Sequence, residues 1–130
     1  MANPNIVAVA SIYGESIGKG LSTDVTTVIL TVLANKLLKI NYISVTNLHA
    51  TVACDVTVKI TKASGGFTSA GVAAGDDEAG IQSLASTVSC PADDVLVVLD
   101  KPIYLMELDD LQAGASGAAD IFISYEVISV

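Results

Sequence analysis

Residues 51–61 read Thr-Val-Ala-Cys-Asp-Val-Thr-Val-Lys-Ile-Thr, and no other stretch limits the possible folds as tightly. Every even position is apolar: Val52, Cys54, Val56, Val58 and Ile60. The odd positions are polar or small. Side chains of an extended chain point alternately to opposite faces, so a period of two predicts a strand with one buried and one wet face. Val, Ile and Thr also suit a pleated surface.

The rest of the chain repeats this pattern less cleanly. Residues 6–16 read as a first strand and 18–24 as a loop. Residues 25–34 are apolar on both phases, which suits a doubly buried strand or an amphipathic helix; Thr26, Thr27 and Thr31 favour the strand. Asn35-Lys36 marks a turn, and 37–47 a strand that 47–50 connects to 51–61 as a hairpin. Residues 81–90, 95–99 (solidly buried), 103–108 and 121–130 read as further strands. They are separated by Pro91-Ala-Asp-Asp94, Asp100-Lys-Pro102, Asp109-Asp110 and residues 117–120. In the last strand Ile121, Ile123, Tyr125 and Val127 share the inward phase. Six to nine short strands, with turn signals every ~8–12 residues, predict an all-β antiparallel sandwich of jelly-roll type.

The chain of 130 residues fits one domain. Pro4 disfavours helix at Asn3, so residues 1–5 read as an extended arm. Residues 6–130 form the domain, interrupted by a long Gly/Ala/Ser and acidic loop at 63–80. Phe67 and Val72 are the sizeable apolar side chains of that loop. Asn3, Pro4 and Asn5 of the arm and Ile6 next to it, with Phe67 and Val72, are the candidate contacts to a partner or to other subunits.

Composition narrows the function classes. The chain is 52% hydrophobic with mean hydropathy +0.62. Its most apolar stretch, 28–43, is nevertheless broken by Asn35, Lys36, Lys39 and Asn41, short of the roughly 18 uninterrupted apolar residues of a spanning helix. The N-terminus lacks the basic region of a signal peptide. No membrane partner is expected, and the apolar excess points to surface covered by other subunits. Net charge is −8, with six lysines and no arginine. Proteins that grip nucleic acid neutralise phosphates with Lys and Arg, so no nucleic-acid partner is expected.

Motifs that would carry chemistry are missing. Gly18-Lys19-Gly20 does not have the spacing of a phosphate loop. His49 lies in a predicted turn with no nucleophile elbow to serve, and reads as a surface residue without a role. Cys54 and Cys90 each fall on the apolar phase of a strand, where Leu84 and Val88 accompany Cys90. They read as buried, reduced thiols, with an inter-strand disulfide as the alternative. With His49 they match no zinc spacing. Asp76-Asp77-Glu78, Asp93-Asp94 and Asp109-Asp110 read as solvated turn residues rather than a calcium site. No catalytic, cofactor-binding or metal-ligating residue is assigned.

Three stretches carry a family likeness: the opening Met-Ala-Asn-Pro-Asn-Ile-Val-Ala-Val-Ala-Ser-Ile-Tyr-Gly, the central Cys-Pro-Ala-Asp-Asp-Val-Leu-Val-Val-Leu-Asp-Lys-Pro-Ile-Tyr-Leu, and the closing Ile-Ser-Tyr-Glu-Val-Ile-Ser. They resemble small virion structural proteins of tailed phages, particularly those infecting marine cyanobacteria and other marine bacteria. The resemblance implies a non-enzymatic virion component made in the host cytoplasm. It implies a decoration protein on the capsid surface, with the major capsid protein and its own copies as partners, possibly as a trimer. The alternative is a tail, neck or fibre component acting as an adhesion or connector module. A shortage of aromatic residues for sugar stacking weighs against that alternative.

Overall fold

The computed structural model describes residues 9–62 and 80–129. They form nine strands: β1 (Ser11–Leu21), β2 (Thr27–Thr31), β3 (Lys36–Asn47), β4 (Cys54–Thr61), β5 (Ile81–Cys90), β6 (Val95–Leu99), β7 (Ile103–Leu105), β8 (Asp110–Ala115) and β9 (Ala119–Ser129). Every pairing is antiparallel. The first sheet has the order β1-β9-β3-β6, with β7 also on β3; the second has the order β2-β8-β4-β5. The pairs are nested: β1 with β9, β2 with β8, β3 with β6 and β7, β4 with β5. A chain folded back on itself and then wrapped into two packed sheets gives this order, which is the jelly-roll arrangement of a β-sandwich.

The core follows from alternation, and where alternation breaks a bulge restores it. In β4, Cys54, Val56, Val58 and Ile60 are buried. In β9, Ile121, Ile123 and Tyr125 face them. In β3 the buried phase changes from Leu38 and Ile40 to Ile43 and Val45. The register against β9 shifts between Ile40 and Tyr42, so Asn41 is the extra residue that re-aims the strand. Ala113 and Ala115 of β8 supply small side chains between the branched ones. Each fully buried Val or Ile contributes about 1.5–3 kcal/mol relative to exposure.

Polar side chains close the sandwich at both ends. At one end Asn47, 1% exposed, sends its Nδ2 to the carbonyls of Val52, Cys90 and Pro91 at 2.9, 3.1 and 3.2 Å. Its Oδ1 accepts the His49 amide at 2.9 Å. One side chain thereby fastens the β3–β4 and β5–β6 crossings. At the other end Lys62 Nζ lies 2.6 Å from Asp109 Oδ2, both side chains being almost wholly buried. The same oxygen accepts the Met106 amide, and the Asp109 carbonyl accepts the Val32 amide. Beside them Glu107 accepts the Asn35 amide at 2.7 Å.

Several expectations are corrected. Residues 37–47 and 51–61 are not a hairpin: β3 and β4 lie in opposite sheets, because 48–53 carries the chain across the end of the sandwich. Val52 belongs to that crossing and is exposed, so β4 begins at Cys54. Residues 18–20 are strand rather than loop, since the small outward residues of β1 still pair with β9. Val88 is exposed and Ala85 buried, because Thr87 adopts a φ of 51° and shifts the phase of β5. Residues 95–99 are not solidly buried; β6 is an edge strand with Val95 and Val97 half exposed. Asp109 is buried and ion-paired rather than solvated. The arm at 1–5 and the loop from 63 to 79 lie outside the described residues.

Removing one partner of a buried pair costs more than removing both. Lys62→Met is expected to lower the unfolding free energy by about 3–5 kcal/mol. The Lys62→Met/Asp109→Leu double variant is expected to recover much of that loss. Urea unfolding of the three proteins measures both effects.

Candidate interaction surface

Among the described residues, His49, Cys54 and Cys90 have structural partners or places. His49 is exposed, and its Nδ1 accepts the backbone amides of Thr51 and Val52, each at 3.1 Å. It therefore holds the β3–β4 crossing, a role its isolated place in the sequence did not reveal. Cys54 and Cys90 are register partners across β4 and β5, and both are buried free thiols. Burial, then the neighbouring Cys90 and Asp55, raise the Cys54 pKa, which suppresses the reactive thiolate. The Cys90 thiol donates to the Asp94 carbonyl at 3.4 Å. Among the described residues no group of three or more His, Cys, Asp and Glu side chains could hold a metal ion. No helix there is long and apolar enough to cross a membrane.

What the fold does build is a pair of unlike outer faces. Register partners share a face, so rows of side chains can be followed across the first sheet. One row runs Gly18, Phe122, Ser44, Val97, and the next Gly20, Asp120, Thr46, Val95. A third runs Gly14, Glu126, Lys39, Tyr104, with Lys39 Nζ 3.6 Å from Glu126 Oε2. Phe122, Val95, Val97 and Tyr104 are 46–54% exposed, whereas Ser44, placed between Phe122 and Val97, is buried. The β1 end of each row is glycine. A Cβ at Gly14 would meet nothing, so this strand is smooth without any steric need inside the chain. The second sheet presents Asp55, Thr57, Lys59, Thr61, Ser83, Ser89 and Gln112 on its outer face, with the half-exposed Ile81 and Val28 as register partners of Thr61 and Gln112.

The second sheet's glycine is a different case. A Cβ on Gly114 would lie 2.9 Å from the Thr23 carbonyl oxygen and 3.1 Å from those of Asp24 and Val25. The β1–β2 connection crosses directly over it, and the Ala115 amide donates to Thr23.

None of the sequence-derived contacts, Asn3, Pro4, Asn5, Ile6, Phe67 and Val72, lies among the described residues. The face found instead comprises Phe122, Val95, Val97 and Tyr104. Its signal was present in β9, where Phe122 interrupts the polar phase of Asp120, Ser124 and Glu126. For β6 no such signal exists, since an all-apolar run does not tell which side is wet. No family model, curated protein or solved structure matches this chain.

Where β1 meets β9, the Tyr125 hydroxyl donates to Glu15 Oε2 at 2.9 Å. Burial, with the bond to Glu15 and its charge, pushes the Tyr125 pKa up to about 12. The folded state holds this proton more tightly than the unfolded chain, whose tyrosines titrate near ~10. The stabilisation is therefore complete below about pH 10 and is lost as the pH rises through about 12. Thermal melts across that interval are expected to fall less steeply for Tyr125→Phe than for the parent protein.

Proposed function

We propose that this protein is a non-enzymatic structural component of a phage virion, a decoration protein that sits on the outer surface of the head and stabilises the shell. The observation that carries this reading is the unequal pair of outer faces. The first sheet gathers the half-exposed Phe122, Val95, Val97 and Tyr104 beside Asp120 and the Lys39–Glu126 pair, whereas the second carries mainly hydroxyls and charges around the aliphatic Ile81 and Val28 and has no aromatic side chain. A module laid flat on a preformed surface buries one face and keeps the other in water.

Two further points support the reading. The sequence resembles small virion proteins of tailed phages along most of its length. The jelly roll is an architecture used in viral capsid domains, although it also serves lectins and cupins, so the site and not the fold bears the weight. A net charge of −8 suits the outside of a shell packed with DNA better than its lining. On this reading the major capsid protein is the partner of the first sheet, and further copies of the chain are its neighbours. A tail, neck or fibre module is the second reading, favoured by the exposed rings of Tyr104 and Phe122, which could stack on sugars.

Quantitative mass spectrometry of purified particles separates the two. A decoration protein is expected in hundreds of copies per particle; a few or a dozen copies, or labelling confined to the tail, would refute the head assignment. Phe122→Asp tests the face itself. Because Phe122 is 46% exposed, the variant is expected to melt within a few degrees of the parent, yet to lose binding to undecorated shells in a sedimentation assay.

A further inference from the structure

The sandwich has four sheet edges, and three are blunted. The β6/β7 edge consists of pieces of five and three residues parted by Asp100, Lys101 and Pro102. The β2 edge has five residues with a register shift between Val28 and Leu30. The β5 edge has ten, but its register against β4 shifts twice and Thr87 takes a positive φ. Short strands, prolines and bulges are the usual means by which proteins prevent edge-to-edge association. The remaining edge, β1, has none of them. Its eleven residues pair with β9 without a shift, none has a positive φ, and no proline interrupts it. Among the described residues, no strand pairs with the side of β1 that faces away from β9.

From this edge we infer that β1 pairs antiparallel with β1 of a second copy, about a two-fold axis through Ile17 that joins the two first sheets into one. The argument for this occupant is the placement of charge. Glu15 and Lys19 lie on the same face, two residues to either side of Ile17. In the two-fold pairing Glu15 of each copy stands opposite Lys19 of the other, Ile17 opposite Ile17, and Tyr13 opposite Leu21. On the other face Ser16 meets Gly18 and Gly14 meets Gly20, with no bulk to hinder the approach. Inward-pointing charges on an edge strand ordinarily discourage pairing. Here they discourage the neighbouring registers. Centring the axis on Glu15 or Lys19 sets like charges against each other, and centring it on Ser16 or Gly18 sets each charge against an apolar side chain.

The surroundings of the strand agree. Tyr125 holds Glu15 by Oε2, leaving Oε1 for the incoming ammonium. Among the described residues Lys19 makes no ion pair. Tyr13 is 59% exposed although it lies on the core-facing phase of β1. The pairing brings it to Leu21 of the other copy, at the mouth of a groove of about 230 Å³ that Lys19, Leu21, Val25 and Thr27 line. A dimer that joins two first sheets edge to edge leaves their outer faces on one side. The pairing does not depend on where in a particle the protein sits, and it gives a dimer in place of the trimer considered from the sequence.

Analytical ultracentrifugation of the full chain at low ionic strength tests the pairing. The parent protein is expected to sediment as a dimer that weakens as salt is added. Lys19→Glu sets two pairs of carboxylates face to face and is expected to weaken the dimer by about tenfold or more. Glu15→Lys/Lys19→Glu exchanges the charges and is expected to restore it. Circular dichroism of each variant confirms that the sandwich is retained. A parent protein that stays monomeric or forms trimers, or a folded Lys19→Glu variant that dimerises as tightly as the parent, would overturn the inference. Either outcome leaves the copy number in the particle, and hence the decoration reading, to stand or fall separately.

Discussion

The ladder between β3 and β9 is the interaction on which the rest of the molecule depends. It joins Lys36–Asn47 to Ala119–Ser129, two of the longest strands, and puts both in the middle of the first sheet. Their partners in sequence are far away, so closing this pair brings most of the chain's length into one loop before any nearby contact rewards it. Once it is closed, β1 can add to the free side of β9, and β6 and β7 to the free side of β3. The inward side chains of the two central strands then form the floor on which β4 and β8 pack. Asn41 is the adjustment that makes this possible. Without the extra residue, the two halves of β3 could not both point their branched side chains at the second sheet.

A sandwich without a disulfide has to close its ends by other means. Asn47 does so with hydrogen bonds alone, presenting its amide to three carbonyls of two crossings. Lys62 and Asp109 do so with a charge pair, which taken alone costs desolvation and adds little stability. Its value is in selectivity: only an arrangement that brings the end of β4 to the turn before β8 satisfies both charges. The two cysteines, although directly opposed, add no covalent link and serve as core side chains.

The same economy separates faces and edges by task. Hydroxyls and charges predominate on the second sheet, and bulges or a proline break three of the edges. Apolar side chains and glycines remain on the first sheet, and one straight strand is left open beside them. On the reading proposed above, the first face lies against a support and the open edge meets a neighbour.

The all-β class, the sandwich and most strand positions were legible in the sequence, because alternation is a local property that a core imposes on every strand with one wet face. Cys54, Val56, Val58 and Ile60, and Ile121, Ile123 and Tyr125, are where the pattern put them. Partnership between strands was not legible. The residues of β3 and β4 satisfy a hairpin and a crossing equally well, and only packing against β8 and β9 chooses. Nor could the run 95–99 say which side was wet, since an edge strand's exposure depends on what lies beside it. Asp109 looked like a turn residue because its cation, Lys62, is distant in sequence, and the glycines of β1 looked like a loop because their bulkless face is seen only once β9 is in place. Residue type and period determined what each strand is. Tertiary structure decided who its neighbours are, because pairing free energy comes from contacts between residues that the chain order keeps apart.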